Sequence, residues 1–69
     1  MPDLTTAEIL DGVLIALAIV YARGADGIAE EIVIAVGPDA ILARAEESED
    51  YMLENVRRTV AFVKSEDGI

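Results

Sequence analysis

Hydrophobic positions recur along the chain with the spacing of α-helices. The clearest case lies near the C-terminus, where apolar residues follow at intervals of three, four and three: Leu53, Val56, Val60, Val63. At about 100° per residue these positions fall on one stripe, as expected for an ordinary core seam. We therefore predict a last helix over about residues 49–65, packed on the domain through this stripe.

The first predicted helix, over about residues 6–23, is apolar on nearly all sides. Thr5 and Glu8 form a capping box at its start, and Gly24 can take the left-handed conformation that ends it. One face is predicted to be core: Ile9, Val13, Ala16, Leu17, Val20, widened by Leu10, Leu14, Tyr21. The other side carries Gly12, Ile15, Ile19, Ala22. A helix that is apolar nearly all round is either central to its fold or shared between subunits, and we assign these four to self-association because we expect so short a chain to have too little protein to surround the helix.

The middle of the chain predicts two shorter helices. Asp26 can cap the second helix, Gly37 can end it, and Pro38 suits the first turn of a third segment over about 38–47. The five apolar residues 32–36 could equally form a short buried strand, but no second strand is available to pair with it. Ser48 begins a polar run typical of a new helix start, although the third and fourth segments could also form one continuous helix.

These patterns predict an all-α fold: one helical domain over residues 1–69, a small bundle of three to four short helices with the first and last packed together. A domain of this size buries only about 60% of its unfolded surface. The chain has no cysteine and no histidine, and 54% of its residues are hydrophobic. Disulfides are therefore excluded, and the apolar surplus slightly favours a homodimer over a monomer.

The charge pattern is strongly acidic, with a net charge of −9 from 14 acidic and 5 basic residues. Direct nucleic-acid binding requires Lys and Arg against phosphates, so we expect none, and no binding to an anionic membrane. An acidic surface favours a basic partner protein, although the charge could equally serve only solubility. Residues 26–54 hold nine acids against one base, and the densest part is predicted to steer a partner: Glu46, Glu47, Glu49, Asp50, Glu54.

A second stripe on the last helix combines residue types that are common at protein interfaces. It consists of Tyr51, Asn55, Arg58 and Phe62, at spacings of four, three and four residues. Tyrosine and arginine are enriched at binding hot spots, and phenylalanine in interface cores. We expect this stripe to be covered by a partner protein, a second copy of the chain or the first helix.

Catalytic equipment is missing from the sequence. The hydroxyl groups have only carboxylates as candidate bases, and no glycine-rich phosphate loop is present. The acidic cluster lacks the spacing and glycine of a calcium loop. We therefore expect no enzyme, no cofactor and no metal site. The apolar run 12–22 is too short to span a membrane and lacks the basic residues that precede a signal sequence, which predicts a cytoplasmic protein.

These features together favour a non-enzymatic protein-binding module. The sharper hypothesis is a small acidic inhibitor that docks on the basic surface of a nucleic-acid-handling protein. In size and charge alone, and in no motif, the chain resembles phage proteins that act against bacterial defence systems, such as the anti-CRISPR proteins. The alternative is a structural, self-associating subunit whose acids are merely solubilising.

Overall fold

The computed structural model describes residues 5–67 of the chain, with side chains to residue 65. These residues form four α-helices: α1 (Thr6–Ala22), α2 (Asp26–Val36), α3 (Pro38–Glu47) and α4 (Leu53–Asp67). Within residues 5–67 there is no strand, which confirms the all-α class. Residues 32–36 lie inside α2, so the alternative of a short buried strand is wrong.

Both ends of α1 follow the sequence prediction. The Glu8 amide donates to Oγ1 of Thr5 at 3.1 Å, and the Thr5 amide donates to Oε1 of Glu8 at 3.2 Å. This capping box satisfies two amides that the first turn leaves without partners. At the other end Gly24 has φ 69°, the left-handed conformation that glycine adopts without steric cost.

The junction between α2 and α3 is a single residue. Gly37, at φ 123°, ends α2, and Pro38 opens α3 with the fixed φ that suits a first helical turn. The predicted bounds of the third segment are confirmed. Asp26 is the first residue of α2 rather than its cap, because Ala25 occupies the cap position and offers no side-chain acceptor.

The predicted start of the last helix is wrong by four residues. Residues 48–52 form the connection between α3 and α4, so the two helices are not continuous. The Asp50 amide donates to the Ala45 carbonyl at 3.0 Å and the Glu49 amide to the Glu46 carbonyl at 3.3 Å, with Glu49 at φ 53°. This Schellman arrangement ends a helix and turns the chain away. The run that resembles a helix start is therefore mainly a helix end.

One hydrophobic core receives side chains from all four helices: Leu10, Leu14, Leu17, Ala29, Val33, Ile41, Ala45, Val56, Val60, Val63. The predicted α4 seam is confirmed, with Leu53 at its partly buried edge. On α1 the core stripe passes through Leu10, Leu14 and Leu17, so Ile9 and Ala16 are exposed, contrary to expectation. α1 and α4 each pack mainly on α2 and α3 and touch one another least, which corrects the predicted pairing of first and last helices.

Candidate protein-interaction surface

The side of α1 that faces away from the core is apolar and open to solvent. Ile15 is 66% exposed and Ile19 is 59% exposed. Gly12, Ala16 and Ala22 are exposed beside them, and residues 12–22 carry no charge. We call these five residues the outer face of α1. Four of them are the positions assigned to self-association from the sequence.

Tyr51 lies next to this outer face rather than on α4. It belongs to the α3–α4 connection, and 83% of its side chain is exposed. Together with Ile15 and Ile19 it lines a depression on the α1 surface. The predicted stripe is therefore divided, because α4 begins after Tyr51. Only the other three members of the stripe lie on one helix.

Two neighbouring depressions, of about 500 Å³ and about 290 Å³, lie between α1 and the α3–α4 connection and share four lining residues. Both are lined by Leu14, Ile15, Asp50, Tyr51. The larger one extends to Asp11, Arg44, Ser48, Glu49, and the smaller one to Ala18, Ile19, Ala22. We call this feature the α1 groove; one of its ends is apolar and the other is polar.

Most of the acids predicted to steer a partner are paired with arginines of this chain. Arg57 donates to Glu54 at 2.8 Å and to Glu46 at 3.3 Å. Arg44 donates to Glu47 at 2.7 Å. Because Glu46 and Glu54 lie on different helices, they share one cation instead of lining up along a continuous helix. The hydrogen bonds to the Glu46 and Glu54 carboxylates raise the pKa of the Arg57 guanidinium.

Two acids remain at the edge of the α1 groove. Asp50 directly precedes Tyr51 in the chain, and its Oδ1 accepts a hydrogen bond from the Met52 amide at 2.8 Å. This hydrogen bond fixes the position of the Asp50 carboxylate. Glu49 is exposed and makes no ion pair with any side chain of residues 5–65. Of the five predicted steering acids, these two therefore retain the most unneutralised charge.

The polar end of the groove is fixed by an ion pair between α1 and α3. The Arg44 guanidinium donates to both carboxylate oxygens of Asp11, at 2.7 and 3.0 Å. These hydrogen bonds hold the pKa of Asp11 below its usual value and raise that of Arg44. Sequence spacing does not predict this pair, because its members are 33 residues apart and on different helices.

The three α4 members of the predicted stripe have different surroundings. The Asn55 carbonyl accepts from Oγ1 of Thr59 at 2.9 Å and from the Tyr21 hydroxyl at 3.3 Å, and its side chain is partly buried. Arg58 is exposed, and Phe62 is 48% exposed. Asn55 therefore helps to hold α1 against α4, whereas Arg58 and Phe62 face solvent.

No protein-family model, characterised protein or solved structure matches the chain significantly. Among the described residues no group of three or more acidic side chains is arranged to hold a metal ion. No helix in this part of the chain is both long and apolar enough to cross a membrane.

Proposed function

We propose that this protein is a non-enzymatic protein-binding module that takes an apolar side chain of a partner into the α1 groove. The observation that carries the proposal is the exposure of Tyr51 beside Ile15 and Ile19. Full burial of one large apolar side chain is worth roughly 1.5–3 kcal/mol. A partner that covers these three side chains gains binding energy that the free protein leaves unused.

Tyrosine is well suited to the centre of such a contact. It presents a rigid apolar ring with a polar tip, and it is among the residues most enriched at binding hot spots. Tyr51 lies in the α3–α4 connection. Its neighbours in the chain are fixed by the hydrogen bond between Asp50 and the Met52 amide and by the hydrogen bonds that end α3. Little additional ordering of the backbone would be needed for a partner to bind there.

The edge of the groove favours a partner with basic residues next to its apolar contact. Glu49 and Asp50 adjoin Tyr51 in the chain, and Glu49 has no ion pair with the described side chains. Opposite charges at the edge of an interface accelerate association and select against wrong partners. In the most specific form of the proposal, the partner is a nucleic-acid-handling protein that the module inhibits by occupying a basic surface, as an anti-defence protein would.

Binding to synthetic amphipathic helices tests the proposal. One probe is built from leucine and lysine and the other, of equal length, from leucine and glutamate. We expect calorimetry to detect binding of the lysine probe alone, weakened about tenfold by Tyr51→Ser, which corresponds to about 1.4 kcal/mol. Ile34→Ser removes an exposed apolar side chain from α2, which contributes nothing to the groove, and should leave binding unchanged.

A matched pair of charge variants separates docking at the groove from general attraction to an acidic protein. Glu49→Gln and Glu31→Gln remove the same charge, from the groove edge and from α2 respectively. Only Glu49→Gln should weaken the lysine probe appreciably. Equal effects of the two variants, or no loss with Tyr51→Ser, would refute the groove as the binding site.

The alternative function is a structural subunit whose apolar surface pairs only with copies of itself. It is favoured by the outer face of α1, which is uncharged in an otherwise acidic chain. Salt-dependent retention of a basic host protein on immobilised wild type, lost with Tyr51→Ser, supports the binding module. Retention that is equal in low and high salt would show that charge does not recruit the partner.

A further inference from the structure

We propose that two copies of this chain pair through the outer face of α1, with the two α1 helices antiparallel and a two-fold axis passing between Ile15 and Ala16. Because Ile15 and Ile19 also line the α1 groove, the second copy and a partner in the groove compete for these two side chains. Three features of α1 favour this pairing: an unexplained glycine, the order of residues along the helix and the charges at the ends of its exposed stripe.

Gly12 is the unexplained glycine. It lies in the interior of α1, where glycine is the least favourable residue apart from proline. A Cβ atom built at this position would meet no atom within 4 Å, so the isolated chain gives no packing reason for glycine there. A second helix that approaches closely would provide one, because an absent side chain leaves room for a neighbouring large residue.

The exposed stripe of α1 is complementary to a copy of itself that runs in the opposite direction. Its members are all solvent-exposed: Glu8, Gly12, Ile15, Ala16, Ile19, Arg23. In an antiparallel pair centred between Ile15 and Ala16, Gly12 shares a layer with Ile19 of the second copy. Ile15 then shares a layer with Ala16. Each bulky side chain is thus level with a small one, which is the condition for close interdigitation of two helices.

The charges select the same orientation. In the antiparallel arrangement Glu8 of one copy is level with Arg23 of the other, and this favourable pair occurs twice. A parallel arrangement would instead bring Glu8 against Glu8 and Arg23 against Arg23. Arg23 makes no ion pair with the described side chains of its own chain, so its guanidinium can engage the second copy.

The outer face of α1 is also the surface through which two acidic chains can approach with the least electrostatic repulsion. Each chain carries a net charge of −9, so most approaches between copies are repulsive. Residues 12–22 carry no charge and include the exposed side chains of Ile15 and Ile19. Contact through the outer face of α1 therefore covers apolar surface while the acids of α2 and α3 stay in solvent.

Sedimentation equilibrium over a wide range of protein concentrations tests the pairing. We expect the wild type to approach the mass of two chains and Gly12→Leu to raise the dimer dissociation constant at least tenfold. Gly27→Leu is the control, because Gly27 is another exposed helical glycine with open space around it. It should dimerise as the wild type does. A wild type that stays at one chain overturns the proposal and leaves the outer face of α1 to a different partner.

A charge exchange tests the orientation. Arg23→Glu and Glu8→Arg should each weaken self-association. In a dimer of either variant, positions 8 and 23 of the two copies carry like charges, and this unfavourable pair occurs twice. Mixing the two variants should restore the mass of two chains, since both pairs in the mixed dimer then join opposite charges. Helical circular dichroism monitors folding, because Glu8 also accepts the Thr5 amide. Folded single variants that dimerise as the wild type does would exclude the antiparallel register, because in a parallel pair each variant leaves the number of like-charge pairs unchanged.

Dimerisation and groove binding compete for Ile15 and Ile19, but two variants separate them. Tyr51→Ser should keep the two-chain mass and bind the lysine probe about tenfold more weakly, because Tyr51 lies beside the outer face of α1 and not on it. Gly12→Leu should lose the two-chain mass and bind the probe at least as tightly as the wild type, because no second copy then covers Ile15 and Ile19. Failure of one prediction therefore leaves the other standing.

Discussion

The Tyr21 hydroxyl oxygen lies 2.6 Å from Oγ1 of Thr59 and ties the end of α1 to α4. Both hydroxyls also lie within hydrogen-bonding distance of the Asn55 carbonyl, Thr59 at 2.9 Å and Tyr21 at 3.3 Å, so either can be the donor in the shorter contact. We expect Tyr21→Phe to lower the free energy of unfolding by about 1 kcal/mol, the usual net value of one such bond. Urea denaturation followed by circular dichroism measures the change.

The same phenol predicts weakness at alkaline pH. Burial raises the pKa of Tyr21 above its ordinary value of about 10. The stability that the protonated Tyr21 hydroxyl contributes is fully present below about pH 10. It is lost as the pH rises through the folded-state pKa, because the unfolded chain ionises first. Thermal melts of the wild type should therefore decline more steeply above about pH 10 than those of Tyr21→Phe. Identical alkaline profiles would contradict the assignment.

The Asp11–Arg44 pair predicts weakness at acid pH. The lowered pKa of Asp11 means that its stabilisation is present above about pH 4 and disappears as the pH falls through the folded-state value. Asp11→Asn should lower the melting temperature at neutral pH, and the difference from wild type should vanish in acid. Asp39→Asn breaks the exposed pair with Lys64 and should change the melting temperature less.

Glu49 occupies a backbone conformation that favours glycine. Its φ of 53° costs an L-residue roughly 1–2 kcal/mol, and the same position after α1 is held by Gly24. We expect Glu49→Gly to stabilise the protein by about 1 kcal/mol and Gly24→Ala to destabilise it by a similar amount. Because a Cβ at Gly24 would meet no atom within 4 Å, its effect reports the backbone alone.

Glu49→Gln separates this backbone effect from the charge. It removes the carboxylate but keeps a side chain in the left-handed conformation. Chemical denaturation should therefore show a gain for Glu49→Gly that is clearly larger than that for Glu49→Gln. Equal gains would mean that repulsion among the acids, and not backbone strain, is relieved.

Two isoleucines measure how differently this chain treats buried and exposed apolar residues. Ile41 on α3 is 0% exposed, whereas Ile34 on α2 is 56% exposed. Ile41→Ala should cost roughly 2–5 kcal/mol, a large part of the stability of so small a domain. Ile34→Ala should stay within about 0.5 kcal/mol, since a surface change removes little packing. A comparable loss at Ile34 would show that α2 is covered in solution.

The helix bounds were largely predictable because local chemistry determines them. Thr5 with Glu8, Gly24, Gly37 and Pro38 are short-range features that act within one turn, and each lies where it was expected. The start of α4 was mispredicted for the same reason. Glu49 is not a residue type that predicts a left-handed helix end, so its run resembled a new helix start.

The candidate site was less predictable because it depends on contacts between helices. The exposed side of α1 followed from helical periodicity, but the position of Tyr51 beside Ile15 depends on how α3 and α4 are joined. The pairing of Arg57 with both Glu46 and Glu54 likewise requires two helices. Sequence spacing alone indicated an acidic cluster and could not show how much of it the chain neutralises itself.

The brevity of the connections has a consequence for folding. A single residue joins α2 to α3, and the connection from α3 to α4 spans only residues 48–52. Contacts between neighbouring helices therefore form between segments close in sequence, and helical proteins with such local contacts fold within microseconds to milliseconds. We therefore expect each copy of this chain, despite its exposed apolar surface, to form its core before it has much opportunity to aggregate with another.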